Sequence, residues 1–168
     1  GNYFGTNEIE KVDTTHPEFD KAEKEAKAQI DKFLNIKGSR TSDDFHKKLG
    51  KIMWEYVGMA RDEKGLKTAI SEIQKLRSEF WSDLKIPGGP DEMNIELEKA
   101  GRVADFLELG LLMVQDAMHR EESCGGHFRE ESQTPDGEAQ RDDANFTHVA
   151  AWEFQGVGKA PTLPQHAG

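Results

Sequence analysis

The chain has 168 residues, with 22 Lys and Arg against 32 Asp and Glu, so its formal net charge is −10. This length is typical of one domain. The sequence has no run of the roughly 20 apolar residues that a membrane-spanning helix requires, and its one cysteine cannot form an internal disulfide. The acidic balance, without a cluster of basic residues, argues against nucleic acid as a partner.

The first residues, 1–13, show no sustained hydrophobic period, and the chain begins at Gly1 rather than at a methionine. We therefore expect residues 1–13 to be a lead-in from an upstream domain, and the chain to be part of a longer protein.

Four amphipathic helices are predicted over residues 14–120, because apolar residues recur there at spacings of three and four. Thr14 or Thr15 is the expected cap of the first helix, and Gly38 its expected end. Thr41 is expected to cap the second helix. The third helix follows a break at 62–65, and the fourth runs from Asp91 to about residue 120. Short connections predict an all-α, up-and-down antiparallel bundle of three to four helices.

The composition changes after residue 120. Residues 121–168 contain three basic and nine acidic side chains, six glycines and three prolines. One alternating stretch, 149–154, is a candidate for a short strand. Two interpretations remain open: a disordered acidic tail, or an irregular segment that packs on the bundle or on domains absent from this chain.

Candidate catalytic groups are few. The sequence contains no dinucleotide-binding fingerprint, phosphate-binding loop or zinc-binding His-Glu-x-x-His helix. Cys124 with His119, His127 and His148 could begin a zinc site, and Cys124 with His127 could form a nucleophile–base pair. We favour the simpler interpretation, in which Cys124 is a small buried residue in a glycine turn and binds no metal.

Other chemically distinctive side chains fall on or beside the apolar stripes, where packing is their expected role. These are Trp54, Trp81, Met53, Met59, Met113 and Met118.

Three segments carry a resemblance. The segment 122–131 (ESCGGHFREE) resembles the Glu-Ser-Arg-Gly-Ala-His-x-Arg motif of succinate dehydrogenase and fumarate reductase flavoprotein subunits. Residues 141–146 (RDDANF) are similar to the segment that follows it in those proteins, and residues 50–61 to a helix that precedes it. The resemblance runs from about residue 13 to the end of the chain, with the motifs in the same order.

The resemblance implies the C-terminal domain of such a subunit, a spectrin-repeat-like helical bundle followed by an irregular tail. The parent would be an FAD-dependent oxidoreductase of electron transport, in the tricarboxylic acid cycle or anaerobic respiration. It would contact an iron–sulfur subunit and a membrane anchor subunit that uses quinone, at the cytoplasmic or matrix side of a membrane. The family's FAD-binding and catalytic residues lie upstream, in the flavin-binding and capping domains, so none is assigned here.

Candidate interdomain contacts come from the two C-terminal motifs. They are Glu122, Ser123, Cys124, Gly125, Gly126, His127, Arg129, Arg141, Asp142 and Asp143. Cys124 stands where the family motif has arginine, which puts any charged contact of that arginine in doubt. Because Arg129 is expected at an interface, Arg129→Ala should weaken docking more than folding of the bundle.

Three other functions are compatible with the sequence. Aspartate oxidase and adenylylsulfate reductase share the implied architecture, although Trp54-Glu55-Tyr56 and the 141–143 segment favour the succinate/fumarate branch. Composition alone would also fit a stand-alone helical bundle that acts as a protein-interaction module.

Overall fold

A computed structural model describes residues 1–8, 13–156 and 159–163. Parts of the predicted lead-in (9–12) and of the predicted tail (157–158 and 164–168) lie outside the described residues. The described chain is mostly helical, with one two-stranded parallel sheet. Its elements in chain order are α1 Asn2–Thr6, α2 Pro17–Leu34, α3 Ser42–Tyr56, β1 Ala60–Arg61, α4 Glu63–Asp83, α5 Ile95–His119, β2 Phe128–Arg129 and α6 Asp143–Phe146.

The four long helices coincide with the four predicted from the hydrophobic period, and polar side chains cap each N-terminus. Thr41 and Asp44 form the expected reciprocal capping box of α3. Asp62 accepts from the Gly65 N–H at the start of α4, and Asn94 accepts from the Leu97 N–H at the start of α5. Each such cap stabilises its helix by about 1 kcal/mol.

The core lies between α3, α4 and α5, each of which contacts the other two. The largest of its fully buried apolar side chains are Phe45, Leu66, Ile73, Leu76, Phe80, Leu84, Leu107 and Val114. The end of α2 joins this core through Phe33, which packs edge-on against Phe80 and stacks on Trp81.

Several predicted boundaries were wrong for identifiable reasons. His16, not a threonine, caps α2, because its ring accepts from the Glu18 N–H. Helix α2 ends at Leu34 and not at Gly38, which instead lies against the backbone of Asp83. Helix α5 begins at Ile95 rather than Asp91, since Asn94 supplies the cap.

The strand predicted over 149–154 is absent from the described chain, where only Glu153 makes an isolated bridge, with Thr162. Alternation of side chains needs a neighbouring strand to become a sheet. The sheet that does form was not predicted: β1 pairs with β2 in parallel, with Ala60 opposite Phe128 and Arg61 opposite Arg129.

Trp54 was predicted to pack but is 87 % exposed. Trp81, Met53 and Met118 do pack against the core, whereas Met59 and Met113 are exposed. Trp54 follows the buried Ile52 by two residues, which turns its side chain to the other side of α3. Met59 lies beyond the end of α3 at Tyr56, so the helical period does not place it.

Candidate functional site

The site is built from the chain that leaves α5. A tight turn reverses it at Cys124–His127, where the Cys124 N–H donates to the His127 carbonyl (2.8 Å) and the His127 N–H donates to the Cys124 carbonyl (3.1 Å). Gly125 has φ +59°, a left-handed conformation that favours glycine. The turn aims the following residues back at the end of α5 and starts β2, which pairs with β1.

The buried side chain of Arg129 caps the C-terminus of α5. Its side chain is only 4 % exposed, and Nη1 donates to the carbonyls of Ala117 (3.1 Å) and Met118 (3.2 Å). The last carbonyls of a helix have no partner within the helix. The buried guanidinium therefore satisfies polar groups that would otherwise be stranded out of water.

Glu131 extends this contact to a second helix. One carboxylate oxygen accepts from Arg129 Nε (3.1 Å) and the other accepts from the Glu63 N–H at the start of α4 (2.6 Å). Burial alone would raise the pKa of Glu131, but the hydrogen bonds from Glu63 and Arg129 outweigh it and the pKa is lowered. The pair thus links the C-terminus of α5 to the N-terminus of α4, with charges that complement both helix dipoles.

His127 uses both ring nitrogens. Arg61 Nη1 donates to Nδ1 (2.7 Å), and Nε2 lies 2.8 Å from the Arg120 carbonyl. Because a guanidinium only donates and a carbonyl only accepts, the ring must be neutral, with its proton on Nε2. Burial lowers the pKa of His127, and the charges of Arg61, Arg129 and Arg120 lower it further, against an opposing effect of the hydrogen bond to the Arg120 carbonyl.

The lowered pKa of His127 predicts a loss of stability in mild acid. The folded state resists protonation, so the stability from the neutral ring is complete above the unfolded pKa of about 6.5 and falls as the pH drops below it. His127→Gln preserves an acceptor for Arg61 and a donor for the Arg120 carbonyl but does not titrate. Melting temperatures at pH 7.5 and 5.0 should therefore differ less for His127→Gln than for the unaltered chain; an equal or larger difference contradicts this assignment.

Glu122 and Ser123 anchor the rest of the turn. The buried carboxylate of Glu122 accepts from Arg120 Nη1 (2.7 Å) and from the Asp142 N–H (2.9 Å). The buried Ser123 hydroxyl accepts from the Arg129 N–H (2.8 Å) and lies 3.1 Å from the Arg129 carbonyl. These bonds hold the residues after α5 in one arrangement.

Further along, Trp152 fixes the tail to α5. Its indole N–H donates to Asp116 Oδ1 (2.8 Å), and its ring lies edge-on to His119. The His119 ring also meets Phe146 of α6 edge-on. This part of the irregular segment therefore lies on the outer face of α5.

The comparisons with known proteins agree with this geometry. A family model described as the fumarate reductase flavoprotein C-terminal region matches residues 46–166. The chain belongs to this family. The matched region contains most of α3, all of α4 and α5, and the residues that bond to Arg129, so the fold described above is that of a flavoprotein C-terminal domain.

Individual relatives point the same way. The chain is 28 % identical over 130 residues to the fumarate reductase flavoprotein subunit of Helicobacter pylori, covering 77 % of this chain and 18 % of that subunit. It is 27 % identical over 110 residues to an uncharacterized FAD-dependent oxidoreductase of Methanocaldococcus jannaschii, covering 66 % of this chain and 19 % of that protein. L-aspartate oxidase of Vibrio cholerae matches at 32 % identity over 80 residues, covering 46 % of this chain and 13 % of that protein.

Among solved structures, the Mycobacterium smegmatis Sdh1 complex superposes with a TM-score of 0.73 at 20 % identity, covering 98 % of this chain and 26 % of that one. This likeness shows the shared fold. The flavoprotein C-terminal domain spans about a fifth of the length of the first curated relatives. None of the helices described for it is long and apolar enough to cross a membrane.

The ten predicted contact residues divide by exposure. Glu122, Ser123 and Arg129 are buried, whereas Cys124, His127 and Asp142 are partly buried, and Gly125, Gly126, Arg141 and Asp143 are exposed. Arg141 and Asp143 form an ion pair with each other (2.7 Å). Interdomain contact stays a prediction for this set, and the exposed members are the ones placed to make it.

The buried position of Arg129 adds an effect on folding to the docking effect expected of its replacement. The side chain donates hydrogen bonds to carbonyls at the end of α5 and to Glu131. Arg129→Ala should therefore destabilise the flavoprotein C-terminal domain itself, while its effect on docking stays a prediction.

Two arginines of the network were missed by sequence reasoning. Arg61 donates to His127 and, through Nε, to the Gly58 carbonyl (2.7 Å); burial lowers its pKa. Arg120 meets Glu122 and, through Nη2, the His148 carbonyl (3.1 Å). Arg61 ends the 50–61 segment of the resemblance, which was the available signal; nothing in the local sequence marks Arg120.

A metal or nucleophile role for Cys124 gains no support. Both nitrogens of His127 are occupied by Arg61 and Arg120, so the ring has no lone pair free for zinc or for a thiol proton. Within residues 1–8, 13–156 and 159–163, no three His, Cys, Asp or Glu side chains are grouped as a metal site would require.

Proposed function

We propose that this chain braces the flavoprotein subunit of a succinate dehydrogenase or fumarate reductase, as its non-catalytic C-terminal domain. The family match over residues 46–166 is the observation that carries the proposal. The parent would interconvert succinate and fumarate with FAD and exchange electrons with quinone. The helices of the brace would run up and down in alternation, in the spectrin-repeat-like arrangement, as their short connections suggest.

FAD would bind outside this chain. In the part of the chain that the structure describes, every buried side-chain polar atom has a hydrogen-bond partner. The paired glycines 125 and 126 follow a helix and lie in an exposed hairpin turn, not in the strand–turn–helix unit that binds a dinucleotide. The residues present do not fit the cofactor, and we assign no catalytic step to them.

The parent's partners would be the flavin-binding and capping domains of its own subunit, an iron–sulfur subunit and a membrane anchor subunit. The complex would lie at the cytoplasmic or matrix face of a membrane. Gly125, Gly126, Arg141 and Asp143 are exposed, so their outer sides are available to such partners. Their neighbours Glu122 and Asp142 are joined to each other within this chain.

The second candidate parent is an L-aspartate oxidase, which the Vibrio cholerae match supports. The intact protein that carries this domain should contain FAD and should reduce fumarate to succinate with reduced benzyl viologen as electron donor. It should release no hydrogen peroxide from L-aspartate in air. Peroxide formation from L-aspartate would move the assignment to the oxidase, and an intact protein without FAD would contradict both assignments.

A further inference from the structure

Helix α2 leaves most of its apolar stripe uncovered. Phe19, Ala22, Ala26 and Ile30 recur at spacings of three and four, so they lie on one side of the helix, in line with Phe33. Phe33 is buried in the core, yet Phe19 is 52 % exposed and Ile30 is 36 % exposed. The two alanines between them are also exposed.

The opposite side of α2 is strongly polar. Lys21, Lys24 and Lys32 lie on it, with Glu18 and Glu25 among them. A helix with one apolar and one charged side normally buries the apolar side against other structure. The division into two sides therefore marks Phe19, Ala22, Ala26 and Ile30, here called the α2 stripe, as a packing surface.

The stability of α2 also calls for a covering partner. Of its 18 residues, Phe33 is the only one described as buried. Nucleation of an isolated helix is costly, so most helical stability in proteins comes from packing of an apolar side. The ion pairs Lys21–Glu18 and Lys27–Asp31 are exposed and contribute little.

We propose that the flavin-binding part of the same subunit packs on the α2 stripe. This inference rests on the proposed function and names the docking surface of that brace. The chain spans about a fifth of its relatives' length and matches the C-terminal region of a flavoprotein. The remaining part of such a subunit would precede this chain, and α2 is the long helix nearest to it along the sequence.

The stripe suits a folded apolar surface better than the exposed residues of the 122–131 segment do. Its alanines allow close approach of another backbone, while Phe19 and Ile30 supply larger apolar area at the two ends. By contrast, the exposed residues of 122–131 are two glycines and two glutamates, which offer no apolar side chain. We therefore assign docking mainly to α2.

The test is hydrogen–deuterium exchange of the intact flavoprotein subunit, with and without one substitution on each side of α2. Ala26→Asp places a carboxylate on the stripe. Ala28→Asp makes the same change two residues away, on the polar side, and serves as the matched control. The backbone amides of residues 20–32 are compared among the three proteins and with the 168-residue chain alone.

In the intact subunit, these amides should exchange at least about tenfold more slowly than in the chain alone, a difference of about 1.4 kcal/mol. Ala26→Asp should abolish that protection, and Ala28→Asp should leave it. Equal exchange in the subunit and the chain, or equal effects of the two substitutions, would overturn the proposal. Protection that depends on the concentration of the chain alone would assign the stripe to a second copy, and protection that requires added iron–sulfur subunit would assign it to that protein; either result also overturns it.

FAD content and fumarate reduction are measured on the same preparations of the unaltered subunit. A subunit that protects α2 but lacks FAD would contradict the proposed function and leave the docking surface standing. A subunit that contains FAD and reduces fumarate, with α2 unprotected, would do the reverse.

Discussion

Replacing Arg129 by alanine is expected to lower the free energy of unfolding of the 168-residue chain by about 3 kcal/mol. The substitution strands the carbonyls of Ala117 and Met118, each worth about 1–3 kcal/mol when buried without a partner. It also removes the positive partner of Glu131, which is still half exposed and can recover water. Urea denaturation followed by far-ultraviolet circular dichroism measures the loss.

Arg141→Ala is the matched control for that experiment. It makes the same chemical change in the same irregular segment, but Arg141 is exposed and pairs with an exposed aspartate. An exposed pair of this kind contributes at most about 1 kcal/mol. If the two variants unfold at the same urea concentration, the buried network does not hold the chain together as described.

The substitution Gly38→Ala is also expected to lower the free energy of unfolding by about 3 kcal/mol. The new Cβ would lie 1.9 Å from the carbonyl carbon and 2.1 Å from the carbonyl oxygen of Asp83. These are backbone atoms and cannot move aside as a flexible side chain would. The amides of residues 38–40 donate three hydrogen bonds to the carbonyls of Asp83 and Leu84. Moving the two segments apart to relieve the clash would break these hydrogen bonds.

Gly50→Ala provides the contrast. Gly50 lies within α3, is exposed, and an added Cβ would meet no heavy atom within 4 Å. Alanine is favoured over glycine in a helix interior by about 1 kcal/mol. Thermal melts should therefore show Gly38→Ala well below the unaltered chain and Gly50→Ala slightly above it. A similar melting temperature for both variants would contradict the close approach at Gly38.

The hydrophobic period was sufficient to predict the four long helices, because each has one apolar side, and α3, α4 and α5 bury theirs against the same core. The period predicts the ends of the helices less well, because a single hydrogen bond can decide where a helix begins. Helix α5, for example, begins at Ile95 after its Asn94 cap, four residues later than the predicted start at Asp91. Gly38 was predicted to end the first long helix, but the structure shows that it is needed where the backbone of Asp83 approaches closely. The local sequence carries no sign of that approach.

The site shows a different limit. The motif of residues 122–131 identified the right segment, yet the role of its side chains depends on what lies across from them. Arg129 is buried because the carbonyls at the end of α5 converge on it and because Glu131, which also accepts from the first amide of α4, pairs with it. The pairing of Arg61 with His127 joins residues 66 positions apart, and no local pattern encodes such a contact.

We expect this chain to support the flavoprotein subunit structurally, while FAD binding and catalysis take place in the rest of the subunit. Calorimetric titration of the 168-residue chain with FAD, beside the intact subunit, tests it most directly. The account predicts no binding heat for the chain and FAD present in the intact subunit. Stoichiometric FAD binding by the chain alone would contradict it.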